Sequence, residues 1–188
     1  MKINAIDVRP GHVLESEGKL WLVLKREIVQ PGKGGAFTQI EVRDLKTGTK
    51  SQGRYRTQET VERAQLDEKD MQFLYMEGTQ ATFMDSETFE QTVVDRELIG
   101  EAADFLQENM TCTVQLHEST PLAVTLPQSV IMEVVEADPV VKGQTASSSY
   151  KPGKLENGRR VMIPPHIGAG TRIVVNTADA TYVERAKD

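Results

Sequence analysis

A chain of 188 residues with 38% hydrophobic side chains can build packed cores, which excludes a disordered composition. Only 5% are aromatic, so the cores are modest, and the length suits one large domain or two to three small ones. The formal net charge of −6 argues on average against nucleic acid, because phosphate recognition rests on Lys and Arg.

That average conceals a polarised chain. Residues 1–64 carry 12 Lys and Arg against 8 Asp and Glu, residues 65–128 carry 2 against 13, and residues 129–188 carry 8 against 7. The ends are therefore expected to meet polyanions, while the middle is kept clear of them or faces a basic partner. No apolar run approaches the roughly 20 residues of a membrane span, and Met1-Lys2-Ile3-Asn4-Ala5 lacks the apolar core of a secretory signal. A cytoplasmic protein without membrane contact is the expectation.

In the first third, Leu20–Leu24, Thr38–Val42 and Ser51–Thr57 read as short strands, with Ile40 and Val42 alternating with polar neighbours. Between the first two lies Pro31-Gly32-Lys33-Gly34-Gly35, followed by Ala36-Phe37. Proline fixes its own φ and the glycines open turn conformations closed to other residues, so this run reads as a hairpin tip that holds out one cation. A nucleotide P-loop does not fit: Glu27 precedes the Gly-Lys pair where a glycine is needed, and Gly34 follows Lys33 where Ser or Thr would bind magnesium. Lys46-Thr47-Gly48-Thr49 supplies the next turn. Arg43, Lys46, Lys50, Arg54, Arg56 and Arg63 follow the tip and could form one basic face of a small barrel.

The middle third gives strands at Gln72–Met76, Gln80–Met84 and Thr111–Leu116. One helix is expected over Asp95–Asn109, where Leu98, Ile99, Ala102, Phe105 and Leu106 recur near helical spacing across a Gly100. Its carboxylates read as a solvated acidic face. Cys112 reads as a small core residue, with no second thiol and no His at metal-ligand spacing.

The last third repeats the β pattern at Val130–Val135, Arg159–Ile163, Thr171–Val175 and Thr181–Val183. Lys151–Gly158 reads as a polar turn region and residues 143–153 as a surface loop, in which Tyr150 either stacks on a base or shields a barrel edge, the edge being the favoured reading. His12, His117 and His166 fall in separate thirds, and no nucleophile or HExxH motif is present, so the chain is not expected to be an enzyme. The fold class is therefore all-β, as three small barrels in series at 1–64, 65–128 and 129–188. Two of them have the strand density of five-stranded oligonucleotide-binding barrels.

These features resemble bacterial elongation factor P. The matching residues are Pro31-Gly32-Lys33-Gly34 with Ala36-Phe37, Asp44-Leu45-Lys46-Thr47-Gly48-Thr49, Glu87-Thr88-Phe89-Glu90-Gln91 and Val134-Val135-Glu136-Ala137-Asp138-Pro139. Lys142-Gly143 with Thr145-Ala146, and Tyr182-Val183-Glu184-Arg185, complete the set. The resemblance implies an SH3-like (KOW-like) N-terminal barrel followed by two OB-fold barrels in an L-shaped, tRNA-like arrangement. It also implies a monomeric factor that enters the ribosome between the peptidyl-tRNA and exit sites when synthesis stalls at consecutive prolines. In that family the lysine matching Lys33 is commonly extended by a β-lysyl group, which requires a lysine-modifying enzyme. Its tip approaches the CCA end of the peptidyl-tRNA, and no other cofactor is implied.

RNA contacts, to peptidyl-tRNA and ribosomal RNA, are expected at Arg43, Lys46, Lys50, Arg54, Arg56, Tyr182 and Arg185. Gly143-Gln144-Thr145 stands where the family often has Gly-Asp-Thr near exit-site messenger RNA, so a codon contact there loses a carboxylate. Gly35 makes the tip more flexible than a bulkier residue would. An elongation-factor-P-like paralogue would lack the Pro-Gly-Lys-Gly tip. A generic RNA-binding module is disfavoured by the acidic middle, and a Schiff-base lysine would need a desolvated site rather than a glycine-flanked one.

Overall fold

The computed structural model describes residues 1–139 and 149–187, so Gly143, Gln144 and Thr145 lie outside the described residues. The chain divides into two compact units, residues 1–67 with 116–122, and residues 68–115 with 123–188.

In the first unit, β1 (Lys2–Asn4) pairs with β6 (Thr60–Glu62), and β2 (Val13–Ser16), β3 (Lys19–Val29), β4 (Phe37–Asp44) and β5 (Lys50–Arg56) form an antiparallel meander in that order. Alternation sends Val23 and Ile40 inward, where they meet Ala5, Val8 and Leu14; Ile3, Trp21, Val42, Tyr55 and Val61 seal the rim. Each fully buried Val or Ile contributes about 1.5–3 kcal/mol. A Cβ on Gly53 would stand 2.6 Å from the Tyr55 ring, so the glycine leaves room for that ring in the rim. The unit closes where the N–H of Arg63 donates to the Met1 carbonyl and that of Ala64 to the Val13 carbonyl, both at 2.9 Å.

The second unit contains β7 (Asp67–Glu77), β8 (Gln80–Asp85), β9 (Gln91–Asp95), α1 (Arg96–Ile99), β10 (Thr111–His117) and β11 (Thr120–Thr125). These strands form a sheet of order β11-β10-β7-β8-β9, with parts of β7, β10 and β11 counted in the first unit. A second five-stranded sheet follows, of β12 (Ser129–Ala137), β13 (Lys151–Leu155), β14 (Arg160–Ile163), β15 (Arg172–Asn176) and β16 (Thr181–Arg185), ordered β14-β13-β12-β15-β16. Asp104 joins the two sheets. Its carboxylate accepts from Arg96 and, at 3.1 Å, from Arg159, while its carbonyl accepts from Asn157 Nδ2 at 2.8 Å. Gln107 Nε2 adds a bond to the Ile131 carbonyl at 2.9 Å.

Two expectations are corrected. The helix foreseen over Asp95–Asn109 is a single α turn followed by a 3-10 stretch, Gly100–Phe105. Asp95 starts it by accepting the Glu97 N–H at 2.9 Å, and Gly100 ends it at φ +79°. The α turn buries Ile99, and the tighter 3-10 stretch buries Ala103 and Phe105. The polar region Lys151–Gly158 is largely strand β13. Gly153 and Leu155 are buried there, and a Cβ on Gly153 would stand 2.6 Å from Ile163 Cδ1. Pro152 is tolerated because the pairing of β13 with β12 ends at Gly153.

Candidate functional site: a lysine-tipped hairpin and its basic face

Strands β3 and β4 pair as far as Val29 opposite Phe37, leaving Gln30–Ala36 to turn the chain. Pro31, Gly32, Lys33, Gly34 and Gly35 are all exposed. Gly34 sits at φ +110°, a conformation closed to most side chains, and open space surrounds the Cβ positions of Gly32, Gly34 and Gly35. Among the described residues Lys33 has no ion-pair partner. Its ammonium is therefore free to meet an anion or a modifying group. The pairing shifts between Val23 and Lys25, and such a bulge bends and twists the long strand that carries the tip.

The strand register decides which cations share a face. Phe37 lies opposite Arg56, Gln39 opposite Arg54, and Arg43 opposite Lys50, so Arg43, Lys50, Arg54 and Arg56 stand on the outer face of β4 and β5. The Arg54 guanidinium lies 4.0 Å from the centre of the Phe37 ring. Glu27 and Glu41 share that face, and Lys25 Nζ pairs with Glu27 at 2.6 Å, so its charge is mixed towards the barrel and basic along β5.

Lys46 stands apart, in the β4–β5 turn. There Asp44 Oδ1 accepts the N–H groups of Lys46 at 2.8 Å and Thr47 at 3.3 Å. The Lys46 N–H, chief among these donors, holds the Asp44 carboxyl below its ordinary value despite burial. Arg63 follows β6 and bridges to Leu14, away from the basic face. The ring of Phe37 is a part of the site that residue-type reasoning did not assign; its one signal was an aromatic placed immediately after a glycine-rich tip.

In the second unit Tyr182 and Arg185 are three positions apart, which in a regular strand puts them on opposite faces. A bulge at Val183 reverses this: Tyr182 lies opposite Val175 and Arg185 opposite Ile173, so both project to the same side of β16. Tyr182 is half-buried and meets the exposed Tyr150 edge-on at 6.3 Å. Among the described residues no group of three or more His, Cys, Asp or Glu side chains is arranged to hold a metal ion.

Three family matches run along the chain in order. Residues 4–61 match the elongation factor P (EF-P) KOW-like domain, residues 66–124 the elongation factor P OB domain, and residues 130–185 the elongation factor P C-terminal domain. The first takes in the lysine hairpin and the basic face, and the last takes in Tyr182 and Arg185. The chain is 61% identical over 188 residues to elongation factor P of Rhodospirillum centenum, covering 100% of both chains. It is 58% identical over 187 residues to that of Rhodospirillum rubrum and 57% identical over 187 residues to that of Gluconacetobacter diazotrophicus, again covering 100% of each chain. Agreement of this kind from end to end, on an all-β chain that carries the lysine tip, means that the chain belongs to the elongation factor P family.

Proposed function

We propose that this translation elongation factor binds the ribosome between the peptidyl-tRNA and exit sites and stimulates peptide bond formation where synthesis stalls at consecutive prolines. The observation that carries the reading is the exposed Lys33 on a proline-led, glycine-rich tip at the end of a strand of 11 residues. Family membership supports the general activity, and the tip supports its direction.

Proline lacks a backbone N–H and its ring constrains φ, so successive prolines can hold the reacting carbonyl away from attack. The ribosome supplies the catalytic centre, and the factor need only restore geometry. A barrier lower by about 1.4 kcal/mol is already a tenfold gain in rate. In this reading Lys33, extended by a β-lysyl group that a lysine-modifying enzyme attaches through an amide, meets phosphates and 2′-hydroxyls of the CCA end. Arg54 and Arg56 neutralise RNA phosphates on the side of the tip, and Arg43, Lys50 and Lys46 do so at the far end of β4 and β5. Tyr182 and Arg185 serve a second RNA contact, and Gly143-Gln144-Thr145 meets exit-site messenger RNA through an amide where a carboxylate is usual. The factor acts as a monomer in the cytoplasm.

The test is a reconstituted translation assay on a reporter with three consecutive prolines and on a control without them. Lys33→Ala should lose the stimulation on the proline reporter, with stability unchanged to within about 0.5 kcal/mol as expected for an exposed surface residue. Unchanged proline synthesis by Lys33→Ala overturns the reading. Intact mass and peptide mapping across Glu27–Arg43 on protein from its native source then show whether Lys33 carries the added group.

A further inference from the structure

The run Glu87-Thr88-Phe89-Glu90-Gln91 has no part in the reading above, yet the protein holds it in a defined and costly shape. Three turns share one geometry. In each, a buried or half-buried Asp or Asn accepts two backbone N–H groups on its side-chain oxygen. Asp44 takes those of Lys46 and Thr47, Asp85 those of Glu87 (2.8 Å) and Thr88 (3.3 Å), and Asn176 those of Ala178 and Asp179. In each, the fourth residue onward donates to the carbonyl of the first and lies at positive φ. That residue is Gly48 at +76° in the first turn and Ala180 at +58° in the third. In the second it is Phe89, at +63° and 69% exposed. A residue without a large side chain serves the backbone better there, and burial returns nothing for the ring.

The sheet behind this turn also carries exposed apolar side chains. Tyr75, Thr82 and Val93 lie abreast on β7, β8 and β9, so Tyr75 (51% exposed) and Val93 (52% exposed) flank Thr82 on one face. One register step on, Glu77, Gln80 and Asp95 stand at positions of the same parity. The hairpin Gln80–Asp95 carries Asp85, Glu87, Glu90 and Asp95 and has no Lys or Arg. The two cations within residues 65–128 are already engaged, Lys69 with Asp85 at 3.5 Å and Arg96 with Asp104. Glu77, Glu87, Glu90 and Asp95 have no ion pair among the described residues; they repel phosphate and, with exposed apolar side chains nearby, complement a cationic polypeptide.

We propose that the β7–β8–β9 face, with the Phe89 turn at its end, docks a Lys- and Arg-rich segment of a protein. An apolar side chain of that segment covers Phe89, and its cations meet Glu87 and Glu90 in the same turn and Glu77 and Asp95 at the far end of the face. The inference deepens the ribosomal reading and rests on it, since it takes the partner to be a basic ribosomal protein rather than ribosomal RNA.

The test uses the full chain with a photoreactive benzoylphenylalanine replacing Phe89, irradiated with purified ribosomes that hold a peptidyl-tRNA ending in prolines. The expected product is a cross-link to a Lys- and Arg-rich peptide of a ribosomal protein. Phe89→Gly should keep or raise the melting temperature, because glycine suits the backbone, while Phe89→Gly with Glu87→Gln and Glu90→Gln slows ribosome association about tenfold at low salt and less at high salt. Cross-linking to RNA alone, to a second copy of this chain or to nothing, while the wild-type chain still sediments with ribosomes, overturns the docking and leaves the ribosomal reading in place. Failure of the wild-type chain to bind ribosomes overturns both.

Discussion

Arg54 on β5 stacks its guanidinium over the ring of Phe37 on β4, 4.0 Å from the ring centre. Phe37 is the first paired residue after the lysine tip, so the stack clamps the root of the hairpin on the side where the chain leaves the glycines. A cation over a ring at an exposed site contributes about 0.5–1 kcal/mol. Arg54→Ala and Phe37→Ala should each reduce stimulation on the proline reporter by about two- to fivefold, the rate equivalent of that energy. The double variant should lose little more than either single change. Fully additive losses in the reporter rates would show that the two side chains act separately.

Asp104 is the joint between the two five-stranded sheets of the second unit. The carboxylate and Arg159 are both about three-quarters buried, at 24% and 29% side-chain exposure, so their bond is less screened than a surface pair. A double-mutant cycle with Asp104→Ala and Arg159→Ala, read by urea unfolding, should give a coupling of about 1–2 kcal/mol. A coupling near zero would mean that Asn157 and Gln107 hold the joint by themselves.

Asp44 and Asp85 tie their turns as carboxylates, and each is held below its ordinary value. The leading cause is a backbone N–H, from Lys46 for Asp44 and from Glu87 for Asp85, working against burial; Lys19 and Lys69 add to the lowering. A depressed carboxyl value in the folded state stabilises above the unfolded value, about pH 3.9, and that contribution is lost as the pH falls through the folded value. Melting temperature should therefore drop on acidification below about pH 4. Asp44→Asn and Asp85→Asn should flatten that drop, because the amide keeps the acceptor without the titration. Asn176 already shows that an amide can hold this turn. Melting curves between pH 2 and pH 6, with equal slopes in wild type and variants, would locate the acid sensitivity elsewhere.

Cys112 is 1% exposed, and burial pushes its thiol up to about 11. The thiolate is the reactive form, so both access and ionisation protect it. A disulfide reagent at pH 8 should label the native protein at least about 100-fold more slowly than the urea-unfolded chain, at a rate set by opening of the sheet. Rapid native labelling would show that β10 opens readily.

The strands were legible where one face is buried and the other wet, as at Ile40 and Val42, because alternation records that asymmetry directly. Alternation also marked β12, where Val130, Met132 and Val134 are buried between exposed neighbours. It failed at β13, whose inward positions are a glycine and a leucine rather than a run of branched residues. It misled at Asp95–Asn109, where apolar spacing fits a 3-10 stretch after Gly100 as well as an α-helix.

For the site, residue types located the lysine tip, since proline and glycine act on their own backbone and need no partner to be read. Local chemistry alone thus specified an all-β chain with one cation held on an exposed turn. Partners across strands came only from folding. The stack of Arg54 on Phe37 and the shared side of Tyr182 and Arg185 across the Val183 bulge depend on register and bulges. Register is set by packing of whole faces, and one displaced residue turns every later side chain to the other side, so these relationships belong to the tertiary structure.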